Sequence, residues 1–430
     1  MRALFGLLAT NLFVAGASAR NKVVATKHHS VETTLFLASV KCTSMFMTTD
    51  QAIVINNTTY DCSEAVAYHE GQFPPDGIDL DVVFESLTQA LQKLVRYDEK
   101  LRHMPNSELL LAPLMQRDAV VSSRMEGTIS TLEEVLRLEA GENANRIDGT
   151  GRSETLEVAL YARALRQAEH QMRDGIGLSE YLIKTAHEML LSHGRGADKS
   201  PGQYKTHQNY VGDRRQRQIS FIPISPEGLI PGIRNLIEFV AESPLHALLR
   251  TAIAHAEFEA LHPFEDGNGR VGRMLIPLML WDSGVLTAPH FFVSDYFERH
   301  KDEYIERLRN VSLRGDWDNW CVFFLTALEA QATANIDVVT QVQAHYEAMK
   351  ERFREVLRSQ HFEAAVDYVF THPIFWNNHF VETAQAPSST LRNFTPRLVD
   401  EGLLQVLSSP SGRAPGLYAF PSLLEIIQTP

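Results

Sequence analysis

The run Leu261-His262-Pro263-Phe264-Glu265-Asp266-Gly267-Asn268-Gly269-Arg270-Val271-Gly272-Arg273 governs how the rest of the chain is read. An apolar segment, 248–261, leads into it and a second, 274–281, leads out. Residues 266–269 continue a helix poorly and predict a tight turn. A helix opening near Asn268 would point its unpaired N–H groups at that turn, which makes an anion site. Arg270 and Arg273 share one face of its first turns. Cations there oppose the helix dipole, so an external anion is the simplest reason for them.

The side chains sort by chemistry. Main-chain N–H groups and two guanidiniums suit a polyphosphate. Asp266 suits a divalent cation bridging phosphates, because hard cations prefer carboxylate oxygen. His262, fixed before the turn by Pro263, is placed to take a proton from an attacking hydroxyl. Phe264 reads as the anchor of the loop in the core. Together they predict phosphoryl or nucleotidyl transfer, in which positioning and charge stabilisation supply most of the rate. A lone histidine or a Gly-Asn-Gly turn would carry no such reading; two apolar helices bracketing this dense polar loop do.

The run 262–273 resembles the signature of the Fic (Fic/DOC) family in full. The resemblance implies a mainly α fold, a helical core with a β-hairpin flap, and transfer of AMP from ATP to a Ser, Thr or Tyr hydroxyl of a target protein or of the chain itself. It makes His262 the general base and Asp266 the Mg2+ ligand. It assigns Asn268 and Arg270 to the phosphates and Arg273 to the γ-phosphate, with Phe264, Gly267 and Gly269 completing the ATP-binding loop.

A second stretch, Ser122-Ser123-Arg124-Met125-Glu126-Gly127, places Ser122 and Glu126 four apart on a helix that Gly127 ends. Glu126 then sits where the dipole disfavours an anion, and a nearby cation would resolve this. The residues Ser122, Glu126 and Gly127 are similar to the inhibitory-helix motif of the same family, in the class that carries it before the catalytic loop. That resemblance implies that Glu126 pairs with Arg273 and blocks the pose ATP needs.

At 430 residues two or three domains are expected. A net charge of −13 argues against a protein built to coat nucleic acid. Cys42, Cys62 and Cys321 are too far apart for a metal spacing or a disulfide framework. Arg2, the apolar run 3–17 and Ala17-Ser18-Ala19 look like a secretory signal, but Thr10 and Asn11 interrupt it. Family resemblance begins near Met45 or Met47, so 1–44 is read as an extension and the protein as cytoplasmic; a real signal at 1–19 would make it secreted or periplasmic. No run of eighteen apolar residues occurs, so no membrane partner is expected. The domains read as 1–44 extension, 45–190 N-terminal helical region with the inhibitory helix, 191–335 catalytic core, 336–360 polar connector helix and 361–430 tail.

Within the core, Ile219-Ser220-Phe221 lies in a strand-like stretch before a proline. The family counterpart is the flap, which aligns a target peptide by main-chain pairing. Tyr296 and Phe297 fall where relatives contact the nucleotide, and His300 stands where asparagine is usual. In the tail, a helix at 362–370, a turn at 381–384, a helix at 388–401 and strands at 402–407 and 417–420 around a wing resemble a winged helix, separable from a folded core. Its candidate recognition helix carries only Arg392 and Arg397, which favours protein docking or a homodimer over DNA binding. Two alternatives stand beside AMP transfer: the same site with another cargo or run in reverse, and a transcription regulator acting through the tail.

Overall fold

The computed structural model describes residues 52–428, apart from 56, 105, 142–148, 195 and 413. The signal-like segment and the rest of 1–44 lie outside the described residues. The fold is mainly α-helical with small β-sheet elements, as expected.

The described chain opens with a hairpin, β1 (Ala52–Ile55) and β2 (Thr58–Asp61), and a two-residue strand, β3 (Val66–Ala67). Five helices follow: α1 (Leu80–Arg102), α2 (Ser107–Met125), α3 (Leu132–Glu139), α4 (Gly149–Arg173) and α5 (Glu180–Leu190). Helices α2 and α3 are separated by a turn that a Thr131/Glu134 capping box closes. The expected flap is the antiparallel pair β4 (Val211–Asp213) and β5 (Gln218–Ile222). It is not isolated: β2 and β3 pair with β5 in parallel, through Asp61 against Gln218 and Val66–Ala67 against Phe221–Ile222.

The catalytic half continues as α6 (Pro226–Glu242), α7 (Ala247–Leu261), α8 (Asn268–Asp282), α9 (Ser294–Arg299), α10 (Lys301–Arg314) and α11 (Trp317–Leu357). Helices α7 and α8 pack on each other, and both are buried along nearly their whole length. This explains why the two segments read as apolar without a polar face.

The expected connector is the second half of α11, a single helix of 41 residues. Val339, Val342, Tyr346, Phe353 and Leu357 are buried in it, at helical spacing. Among the described residues α11 alone is long and apolar enough to cross a membrane, but half of its most apolar window is buried within the protein, as in a core helix.

The tail comprises α12 (Phe362–Thr371), β6 (Ile374–Trp376), α13 (Asn377–Thr383), α14 (Ser388–Leu391), α15 (Phe394–Asp400), β7 (Gln405–Ser408), β8 (Leu417–Ala419) and α16 (Pro421–Gln428). Its strands form an antiparallel sheet in the order β6-β8-β7. Strand β6 and helix α16 were not expected, a helix stands at the expected turn, and the expected 388–401 helix is broken at Arg392 and Asn393. The tail packs on α2 and α11, with Tyr346 edge-on to Phe370 and Phe353 edge-on to Phe420. It shares one apolar core with the catalytic half. Deleting 362–430 would uncover Tyr346, Phe353 and Leu357, at about 1.5–3 kcal/mol each. The truncated protein is therefore expected to melt on the order of 10 °C lower than the full chain. An unchanged melting temperature would restore the separable tail.

Candidate active site

Helix α7 ends on His262, whose backbone is left-handed (φ 45°, ψ 61°), and α8 begins after Gly267 (φ 79°, ψ 5°). His262 is buried, with Nδ1 3.3 Å from the Glu259 carbonyl. An Nδ1–H donated there leaves the lone pair on Nε2, which is buried with no hydrogen-bond partner. Burial pulls the imidazole down to about 3; the Lys205 charge adds to this, while the Glu259 carbonyl and Asp266 oppose it. The ring is thus neutral at ordinary pH.

The loop is braced from within. Asn268 Oδ1 accepts the Phe264 N–H at 2.8 Å and its Nδ2 donates to the Phe264 carbonyl at 2.9 Å. The Phe264 ring is fully buried and stacked on His187, centroids 3.7 Å apart and 4° from parallel. The Phe264 ring is therefore committed to the loop, while the Asn268 amide braces the loop with one donor and keeps a second N–H. What this part of the loop offers an anion is that N–H and the main-chain N–H groups of the first turn of α8. His187 Nδ1 accepts the Gly202 N–H, so its Nε2–H donates to the Asp266 carbonyl, both at 2.9 Å. Burial holds His187 down to about 4.

The Asp266 carboxylate accepts the Gly267 N–H at 2.6 Å and lies 3.5 Å from Arg270 Nη2, with its side chain 28% exposed. Among the described residues no three His, Cys, Asp or Glu side chains are grouped to hold a metal. Asp266 therefore fits a hard cation that brings further oxygens from a polyphosphate and water. Arg270 is buried 3.7 Å from Glu157, and its Nε and Nη1 make no hydrogen bond. Unpartnered donors of this kind point to a ligand.

Arg273 is the other half of the site. Its Nη2 donates to Glu126 Oε1 at 2.8 Å and to the Ser122 carbonyl at 2.8 Å, and its Nε donates to Ser122 Oγ at 2.9 Å. Glu126 caps the carboxyl end of α2, and Gly127 follows at φ 83°. The cation expected there is present twice, since Lys301 Nζ also donates to the Met125 carbonyl at 2.7 Å. A Cβ on Gly269 would stand 2.2 Å from Glu126 Oε1, so the carboxylate lies directly over the first turn of α8.

On the flap, Ile219 is buried with Ile55, Tyr60 and Tyr210, and Ser220 Oγ donates to the Val211 carbonyl at 3.2 Å. Phe221 is half-buried. Tyr296 is half-buried and stacks on His300 at 4.1 Å. Phe297 departs from expectation: it is fully buried against His255, Tyr304 and Phe324, so its ring cannot face a nucleotide.

Sequence reasoning missed the groups that hold the loop. Lys205, Asn209, His187 and Glu157 are buried at or near it, and Glu259 is half-buried beside it. Burial pushes the Glu259 carboxyl up to about 8, against the pull of Arg273 and with the push of Glu126.

Residues 84–170 match the Fic/DOC family N-terminal region and residues 177–280 match the Fic/DOC family itself. The protein adenylyltransferase fic-1 of Caenorhabditis elegans is 34% identical over 86 residues, which are 19% of this chain and 16% of that protein. The protein adenylyltransferase Fic of Drosophila melanogaster is 26% identical over 163 residues, 37% of this chain and 31% of that protein. The chain therefore spans less than a third of the length of these relatives. A solved Fic family protein from Desulfovibrio desulfuricans shares the fold with a TM-score of 0.52 at 20% identity, covering 81% of this chain and 98% of that one. The two matched regions follow one another along the chain, so residues 84–280 resemble the Fic/DOC family and are similar there to protein adenylyltransferases.

Proposed function

We propose that this chain transfers AMP from ATP to a hydroxyl side chain of a protein, itself included, and that Glu126 holds the activity back. The observation that carries the reading is the loop at the N-terminus of α8. There His262 Nε2 and two Arg270 nitrogens are buried without hydrogen bonds, beside a partly exposed Asp266. A neutral histidine, unsatisfied guanidinium donors and a carboxylate are the parts this transfer requires: a base for the hydroxyl, donors for the phosphate charge and a ligand for its cation.

In this mechanism His262 Nε2 takes the proton of the target hydroxyl. The freed oxygen bonds to the α-phosphorus, the bond from that phosphorus to the pyrophosphate oxygen breaks, and pyrophosphate leaves. Main-chain N–H groups of α8 and Arg270 hold the phosphates, and Arg273 orients the γ-phosphate once Glu126 releases it. Asp266 would hold Mg2+, which neutralises phosphate charge when bound. The β4–β5 flap lays the target segment beside His262; because β5, with Ile219–Phe221, is paired by β4 on one edge and by β2 and β3 on the other, the main-chain pairing falls to the outer edge of β4.

The relatives named as adenylyltransferases support AMP as the cargo. Little favours the transcription-regulator reading. Arg397, on the candidate recognition helix, donates to the Leu357 carbonyl at 2.9 Å and so faces α11 rather than DNA. The test is incubation of the protein with labelled ATP, CTP, GTP or UTP and Mg2+, followed by mass analysis of modified residues. Label from the α-phosphate of ATP on a hydroxyl side chain supports the reading, and transfer of only the γ-phosphate overturns it.

The buried histidine sets the pH dependence. The active form is the neutral ring, and its pKa is lowered from 6.5 to about 3. Activity is therefore retained as pH falls: single-turnover transfer with ATP bound is expected to stay level from pH 8 to pH 5.5. An inflection near the unperturbed histidine value would show a solvated base instead.

A further inference from the structure

Lys205 is a buried lysine with no ion pair among the described residues. Its Nζ donates to Asn209 Oδ1 at 2.8 Å and to the Leu261 carbonyl at 3.0 Å, and its main-chain N–H donates to the Pro263 carbonyl at 2.8 Å. Asn209 is buried too, and its Nδ2 donates to the His262 carbonyl at 3.0 Å and the Phe264 carbonyl at 2.9 Å. Two residues four apart thus hold four successive carbonyls, from Leu261 to Phe264. Desolvating an ammonium for neutral partners is costly, and burial alone pulls Lys205 down to about 7. A leucine-like side chain would fill the space without that cost, so the lysine is there for its donors.

The loop it holds needs holding. His262 carries a Cβ in the left-handed region, a conformation that persists only when the surroundings impose it. The same short stretch also begins the flap, since Asn209 lies two residues before β4. The distance from the target strand to the base is therefore set across Lys205 and Asn209.

We propose that Lys205 and Asn209 are positioning residues, a clamp that keeps His262 in its left-handed conformation and fixes it relative to the strand on which the target lies. This rests on the AMP-transfer reading for its effect on rate, but not for its effect on the loop. The clamp acts on the orientation of the base and reaches the phosphate-binding turn of α8 only through the Phe264 carbonyl, which Asn268 Nδ2 also holds.

The test compares Asn209→Ala and Lys205→Met in a full-length Glu126→Gly background with that parent. Saturating-ATP transfer should fall about a hundredfold, the cost of misplacing a reacting group by roughly 1 Å, while the ATP concentration giving half the rate moves less than about threefold. Amide hydrogen exchange should quicken in peptides covering 261–268 and stay at the parent's level in α1 and α11. A parental rate with parental exchange overturns the proposal. So does a loss of protection spread over the whole chain, which is what a merely structural pair would give. If the parent itself transfers no AMP, the function reading fails and the exchange still decides the clamp: localised quickening supports it, and no change overturns it.

Discussion

Replacing Glu126 with glycine is expected to raise AMP addition by about a hundredfold, the penalty for holding ATP roughly 1 Å out of line with the attacking oxygen. All the forked donors of Arg273 that face α2 are taken, two by Ser122 and one by Glu126. A γ-phosphate needs the same fork and cannot share it with a carboxylate. The carboxylate also covers the first turn of α8, so it competes for the main-chain N–H groups as well as for the arginine. Glu126→Gly removes both obstacles at once. Adding Arg273→Ala to that variant should remove most of the gain, because the freed guanidinium is what orients the triphosphate. The same substitution leaves a buried cation with fewer partners, and breaking such a pair costs up to about 3–5 kcal/mol. Ser122 still holds Arg273, so the loss should be smaller. The variant is expected to melt lower than wild type without nucleotide and to recover more than wild type when ATP and Mg2+ are added. A fall in AMP addition on Glu126→Gly would show that the glutamate is catalytic and not a restraint.

Changing His262 to alanine in the Glu126→Gly background should cost about 10²–10⁴ in transfer, the range for a positioned general base. ATP binding should stay within a few fold, because the phosphates are held by α8 and its arginines and not by the imidazole. The geometry supports this division: Nδ1 is committed to the Glu259 carbonyl, and the free lone pair on Nε2 has no other task. Transfer at the rate of the Glu126→Gly parent would remove His262 from the mechanism. An equal loss of ATP binding and transfer would make it a binding residue.

The catalytic loop was legible because its chemistry is dense and local. A histidine, two carboxylates, three glycines and two arginines within twelve residues leave few readings open. Glu126 was legible for a different reason: an acid at a helix's carboxyl end is disfavoured without a nearby cation, and the resemblance of Ser122, Glu126 and Gly127 to the inhibitory-helix motif named Arg273 as that cation. The groups that support the site were not legible. Lys205 meets carbonyls some 56 residues away and His187 meets Asp266 across 79, and no local spacing encodes such partners. The pairing of β3 with β5 is hidden in the same way, since a two-residue strand carries no period. Phe297 was misplaced because an aromatic side chain beside a site reads equally as a ligand platform or a core residue; its neighbours His255 and Phe324 come from two other helices, α7 and α11. The second half of α11 is the opposite case. Val339, Val342, Tyr346, Phe353 and Leu357 mark a buried stripe that was present in the sequence and masked by its many charged neighbours.

The account stands most directly on the intact mass of the purified Glu126→Gly protein after incubation with ATP and Mg2+, read beside wild type and the Glu126→Gly, His262→Ala double variant. The account predicts an added adenylyl group on Glu126→Gly, little or none on wild type, and none on the double variant. An unchanged mass for Glu126→Gly, with bound ATP demonstrated and a hydroxyl-bearing protein substrate also left unmodified, would contradict it.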